Sequence, residues 1–167
     1  PDSLLGVTHL EGDHFIAYGA FGLYFDSLDA GRTWQRGMVL SEDFDRHISQ
    51  IIVVGNSLLL VAESGTLARS DDAGATWTAL TSPYQGSYFG ALAVQDGSVL
   101  AFGMRGNVFR SLDLGTTWQK IETGTTTSFM SGLQLADGRV MLVGNAGLIA
   151  ESADGGQSFV LHTAKPG

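Results

Sequence analysis

Four aspartates, Asp29, Asp72, Asp113 and Asp154, recur at intervals of 43, 41 and 41 residues. A row of carboxylates can hold a metal or divide acid and base roles between neighbours. The spacing speaks against both, because one aspartate per repeat of about forty residues keeps the four groups far apart. The Asp71-Asp72 pair lacks the alternating acidic pattern and central glycine of a calcium loop. The chain has no cysteine, which removes disulfides, zinc-thiolate sites and thiol nucleophiles. His9, His14 and His162 lie in strand-like runs at no metal-ligand spacing. His47 sits near Asp45 but reads as a solvated loop histidine. The expectation is no catalytic residue, no metal and no cofactor.

Each aspartate belongs to a recurring octet, Ser-x-Asp-x-Gly-x-Thr/Ser-Trp/Phe. The copies are Ser27, Asp29, Gly31 and Trp34; Ser70, Asp72, Gly74 and Trp77; Ser111, Asp113, Gly115 and Trp118; Ser152, Asp154, Gly156 and Phe159. Such an aspartate accepts backbone N–H groups that follow it, as in an Asx turn. The glycine supplies a left-handed conformation at little steric cost. The hydroxyl of the Thr or Ser satisfies a further turn group. The aromatic residue then returns into the sheet, so Trp34, Trp77, Trp118 and Phe159 are expected to anchor the core.

The flanks place this turn. A glycine precedes each box serine by five residues: Gly22, Gly65, Gly106 and Gly147. Apolar runs such as 51–54, 58–61, 99–102 and 140–143 are too short for helices. Turn residues at Gly12, Asn56, Asp96-Gly97 and Asp137-Gly138 separate them. Each repeat therefore reads as four antiparallel strands, a to d from the inside outwards, with the box joining c to d. In the third repeat the strands are expected at about 89–95, 98–104, 107–111 and 117–122. The fold class is all-β: a β-propeller with four four-stranded antiparallel blades, at about 3–40, 48–82, 89–123 and 131–163.

Composition narrows the partners. Of 167 residues, 17 are acidic and 9 are Lys or Arg, a net charge of −8 that disfavours nucleic acid. A basic peptide or a neutral glycan fits better. No apolar run approaches the roughly 20 residues of a membrane helix, so any membrane association is expected to be peripheral. The sequence opens on Pro1 and shows no signal peptide.

At these octets the chain resembles the Asp-box, or bacterial neuraminidase repeat, propellers along its whole length. The wider pattern from Gly103 to Trp118 resembles the photosystem II assembly and stability factor-like branch. That resemblance implies a non-enzymatic scaffold that binds a protein partner and assists a membrane or envelope complex. It also implies an extracytoplasmic place: periplasmic, lumenal or secreted. Sialidases and xyloglucan-degrading enzymes share the box, so a sialidase-like glycan hydrolase and a carbohydrate-binding module are the alternatives. The sialidase Phe/Tyr-Arg-Ile-Pro motif is absent. Of the seven arginines, Arg32 lies in a box and Arg69 and Arg110 beside one, which leaves too few for a central triad.

In a blade of this type the d-to-a loops and b-to-c turns share one face, opposite the boxes. Loops are where recognition concentrates. The expected binding residues are Phe44, Arg46, Tyr84, Tyr88, Arg105 and Phe129, with Phe21, Ser64 and Asn145 added by the b-to-c turns. The competing reading is that Phe44, Tyr88, Phe89 and Phe129 plug the gaps between blades. The propellers it resembles have six or more blades. Three arrangements are therefore open, in the order expected: a piece of a longer propeller, two copies forming a homodimeric eight-bladed ring, or four blades closing alone.

Overall fold

The computed structural model describes residues 2–165. Sixteen strands form four antiparallel sheets, each following the order of its strands in the chain. Blade 1 holds β1 (Leu4–His9), β2 (Phe15–Gly19), β3 (Tyr24–Ser27) and β4 (Gln35–Arg36). Blade 2 holds β5 (Ile48–Val54), β6 (Ser57–Ala62), β7 (Leu67–Ser70) and β8 (Thr78–Ala79). Blade 3 holds β9 (Tyr88–Ala93), β10 (Val99–Gly103), β11 (Val108–Ser111) and β12 (Gln119–Ile121). Blade 4 holds β13 (Phe129–Gln134), β14 (Val140–Gly144), β15 (Leu148–Ser152) and β16 (Val160–Thr163). The helical content of the described residues is three single 3-10 turns, at Ala20–Gly22, Met104–Gly106 and Asn145–Gly147.

The second strand of blades 2 and 3 is buried on both sides. Its alternating side chains enter two different cores, as expected of a sheet sandwiched between sheets. The trailing face of blade 1, with Ile16, Tyr18 and Tyr24, packs on the leading face of blade 2, with Ile48, Ile51, Leu60 and Trp77. Leu59, Val61 and Leu67 of blade 2 meet Tyr88, Ala91 and Phe109 of blade 3 in the same way. Leu100, Phe102 and Val108 meet Phe129, Leu142 and Ala150 of blade 4. The core is thus three interblade layers, not one central cluster.

Polar side chains tie the inner strands. Thr8 Oγ1 donates to Ile51 O at 2.7 Å, and Ser49 Oγ to Tyr88 O at 2.7 Å. Gln50 and Gln134 accept the Ala91 and Gln95 amides at 2.9 and 2.8 Å. The recurring glycine before each box has its own reason. A Cβ at Gly22, Gly65 or Gly106 would stand 2.0–2.2 Å from the Phe44, Tyr84 or Thr125 carbonyl oxygen of the following loop. The close approach of turn and loop excludes any side chain there.

Candidate functional site

Each Asp-box turn holds its carboxylate through a dense set of local hydrogen bonds. In box 3, Ser111 Oγ accepts the Gly115 amide and donates to Asp113 Oδ1, both at 2.8 Å. Asp113 accepts the Thr117 amide at 2.8 Å and the Thr117 hydroxyl at 2.6 Å. Boxes 1, 2 and 4 repeat this set around Asp29, Asp72 and Asp154. Each carboxylate engages both oxygens inside its own turn. The Thr33, Thr76 and Thr117 hydroxyls, aided by the same residues' amides, hold Asp29, Asp72 and Asp113 below the usual carboxylate range. At Asp154 burial pushes upward, and the Ser158 and Ser152 hydroxyls with the Ser158 and Gln157 amides outweigh it, giving about 2. These are ionised structural acceptors rather than proton carriers. No group of three or more His, Asp or Glu among the described residues is arranged to hold a metal.

The turn itself is tighter than the sequence signals. Besides the expected Gly31, Gly74, Gly115 and Gly156, the residue before each is also left-handed: Ala30, Ala73, Leu114 and Gly155. The indole N–H of Trp34 and of Trp118 then donates to the box-glycine carbonyl, at 3.0 and 2.9 Å. Trp77 is buried and Trp118 and Phe159 are half-buried at the interblade layers. Trp34 departs from the expected core role. It is 40% exposed, on the face of blade 1 that no other described blade covers.

The opposite face is built from b-to-c turns and d-to-a loops, as the strand order requires. Phe21, Ser64, Arg105 and Ala146 form the turn apices, each left-handed with φ between 52° and 57°. The sequence placed the fourth apex at Asn145; it is Ala146. The shared signal is the following glycine, which precedes each box serine by five. Three apex amides point into the next loop: Phe21 to His47 Nδ1 at 3.0 Å, Ser64 to Ser87 Oγ at 3.4 Å, and Arg105 to Ser128 Oγ at 3.2 Å. His47 is therefore a loop clamp that accepts through Nδ1, a role its neighbour Asp45 does not reveal. Its ring meets Phe21 edge-on with centroids 4.7 Å apart.

The apex backbone is anchored, so the apex side chains stand clear of the fold. Phe21 and Arg105 are exposed. Arg105 forms no ion pair among the described residues. It borders a groove of about 430 Å³ with Lys120, Glu122 and the threonines at 123, 125 and 126. Sequence reading missed this groove, since its walls come from a turn and a loop that only folding brings together.

The expected binding residues divide. Arg46 is exposed, with Asp45 at 3.7 Å. Tyr84 is half-buried, its ring 5.9 Å from Phe109 and 6.1 Å from Tyr88. Phe44 is half-buried against the first interblade layer. Tyr88 and Phe129 are corrections: at 1% and 0% exposure they are interblade plugs and present nothing to a partner. The reason is position. Both open the first strand of a blade and turn their rings onto the leading face. Burial pushes the Tyr88 hydroxyl up to about 12, and it is bonded to Ser82 Oγ at 2.8 Å.

Known proteins match this architecture. The family model described as photosynthesis system II assembly factor YCF48 matches residues 3–131. No curated protein matches the chain. A YCF48 structure bound to a D1 peptide superposes with a TM-score of 0.81 at 18% identity, over 99% of this chain and 54% of that one. YCF48 from Cyanidioschyzon merolae gives 0.77 at 16% identity, over 99% and 57%. An ancestral GH74 enzyme gives 0.74 at 15%, over 93% and 23%. At these identities the structures share a fold, and the chain spans about half the length of the YCF48 structures it matches. The family match rests on the sequence itself and runs through blades 1 to 3 into the first strand of blade 4. By that match the chain belongs to the YCF48 photosynthesis system II assembly factor family.

Proposed function

We propose that the chain is a non-catalytic propeller module that binds a protein segment on its loop face. Its role is assembly of a membrane or envelope complex, and its place is outside the cytoplasm. Family membership supports the assembly role, and the YCF48 structure bound to a D1 peptide is a precedent for peptide binding on this fold. The carrying observation is Arg105. A left-handed apex holds this cation clear of the fold without a carboxylate partner among the described residues, in a chain of net charge −8. Arginine is among the residue types enriched at the anchoring positions of protein contacts. The segment bound there presents a carboxylate to Arg105.

Selection of a random-peptide phage library on the immobilised chain tests this reading. The expected result is a consensus with an acidic residue, lost with Arg105→Glu and weakened with Arg46→Glu and Tyr84→Ala. Selected peptides that bind all three variants as well as the parent would remove the loop face from the account. Product released from a panel of sialosides and plant or bacterial glycans would replace the scaffold with a hydrolase.

A further inference from the structure

On the box face an arginine bridges the junction of blades 2 and 3, and another bridges that of blades 3 and 4. Arg69 and Arg110 each stand just before a box serine and reach across to the next blade. Arg69 donates to the Leu114 carbonyl at 3.4 Å and to Asp71 Oδ2 at 3.2 Å. Arg110 donates to the Gly155 carbonyl at 3.1 Å and to Asp96 Oδ2 at 2.6 Å. In both junctions one guanidinium joins a box carbonyl to a carboxylate. The planar fork of arginine suits two acceptors set apart in this way.

The junction of blades 1 and 2 breaks the pattern. Asp26 holds the place before the box serine, and an ionised carboxylate has no proton to donate. Its Oδ1 instead meets His14 Nε2 at 2.5 Å. The facing box residue, Ala73, keeps the left-handed turn of Leu114 and Gly155, with φ of 58° against 55° and 73°. Its carbonyl therefore faces the junction as theirs do. Register aligns the walls too. His9 pairs with Phe15 as Val53 pairs with Leu58, and Phe15 pairs with Ser27 as Leu58 with Ser70 and Val99 with Ser111. Leu10, His14, Leu58 and Ala73 are accordingly the counterparts of Val54, Ser57, Val99 and Leu114. The latter four line a slot that Arg69 fills, leaving a volume of about 0 Å³. The former four line a cleft of about 420 Å³, whose wall also carries the exposed Glu11 and Asn56.

We propose that this cleft is a guanidinium site, entered from the box face by an arginine side chain of a partner protein. The Ala73 carbonyl acts there as Leu114 O and Gly155 O act in the later junctions. The Glu11 carboxylate acts as Asp71 and Asp96 do, and Leu10 and Leu58 flank the aliphatic stem. The site lies opposite the loop face and is independent of Arg105.

Titration of the ¹⁵N-labelled chain with Nα-acetyl-arginine amide, followed by amide shifts, tests this. The expected result is saturable shifts at Gly12, Asn56 and Ala73, with a Kd on the order of 1 mM for a ligand of this size. The citrulline analogue has the same shape without the charge and leaves these amides in place. Agmatine, which lacks the peptide groups, binds no more tightly than the peptide-like probe. Glu11→Gln alters an exposed side chain and weakens binding about tenfold. Ala73→Leu rebuilds the wall of the next junction at a backbone conformation that Leu114 already adopts, so it keeps the parent's circular dichroism and abolishes binding. A parent chain without saturable shifts at the cleft, equal shifts from the citrulline analogue, a preference for agmatine, or binding indifferent to both substitutions overturns the proposal.

Discussion

The Tyr24 hydroxyl donates to the Gly74 carbonyl at 3.0 Å, across the junction from blade 1 to blade 2. In boxes 1 and 3 that carbonyl serves the box's own tryptophan. In box 2 the acceptor has passed to Tyr24, and the Trp77 indole N–H is the one buried side-chain polar atom without a hydrogen bond among the described residues. The two rings meet edge-on, 6.1 Å apart. Burial pushes the Tyr24 hydroxyl up to about 12, opposed by the nearby indole.

Tyr24→Phe removes this interblade bond and leaves the Gly74 carbonyl without its donor. The expected net loss is about 1 kcal/mol, near the mean for one hydrogen bond. For a chain of this size that is a fall in Tm of roughly 2–4 °C. Calorimetry checks it; an unchanged Tm means that Trp77 takes up the acceptor completely.

Ser111→Ala strikes the centre of a box. Its Oγ is buried and serves the Gly115 amide and Asp113 together. Leaving the Gly115 N–H unpaired is expected to cost about 1–3 kcal/mol. Leu112→Ala, one residue on and well exposed, is the control and is expected to stay within about 0.5 kcal/mol. Urea unfolding of both variants separates a specific lock from general sensitivity of the turn.

Acid is expected to loosen all four boxes. The four aspartates titrate below their ordinary value in the folded chain, so folding favours their ionised form. That contribution is complete above the unfolded pKa of about 3.9 and is lost as pH falls through the folded values. For Asp154 the window runs down to about 2. Thermal melts taken from well above that unfolded value down to about pH 2 should show the steepest loss below about pH 4. A box-disabled Asp154→Asn variant should lose less over that interval. Equal slopes in parent and variant would contradict the box as the source.

Two aromatic residues near the loop face should part company. Phe129→Ala empties a fully buried interblade site and is expected to cost about 3–5 kcal/mol. Phe21→Ala, at an exposed apex, should leave stability within about 0.5 kcal/mol and weaken peptide capture. Unfolding and capture measured on both variants give the comparison.

Fold was legible because the octet fixes a turn, and a turn repeated every forty-odd residues fixes a blade. Strand ends were less so: the last strand of blade 3 runs over Gln119–Ile121, not 117–122, because the box extends through Thr117 and ends only at Trp118. The loop face was half legible. Arg105 and Arg46 sit where their turn and loop predicted. Tyr88 and Phe129 each open the first strand of a blade, where the pleat decides whether a ring meets solvent or the neighbouring blade. Trp34 and Trp77 end the same octet yet differ in burial, because among the described residues only Trp77 faces a neighbouring blade, and no octet encodes that.

Amide chemical-shift mapping tests the central claim most directly, using the ¹⁵N-labelled chain and the tightest peptide from the phage selection. The account predicts shifts at Phe21, Ser64 and Arg105 and along residues 42–47 and 120–128, with the four box turns unmoved. Shifts centred on the boxes around Asp29, Asp72, Asp113 and Asp154, with the loop face silent, would contradict it.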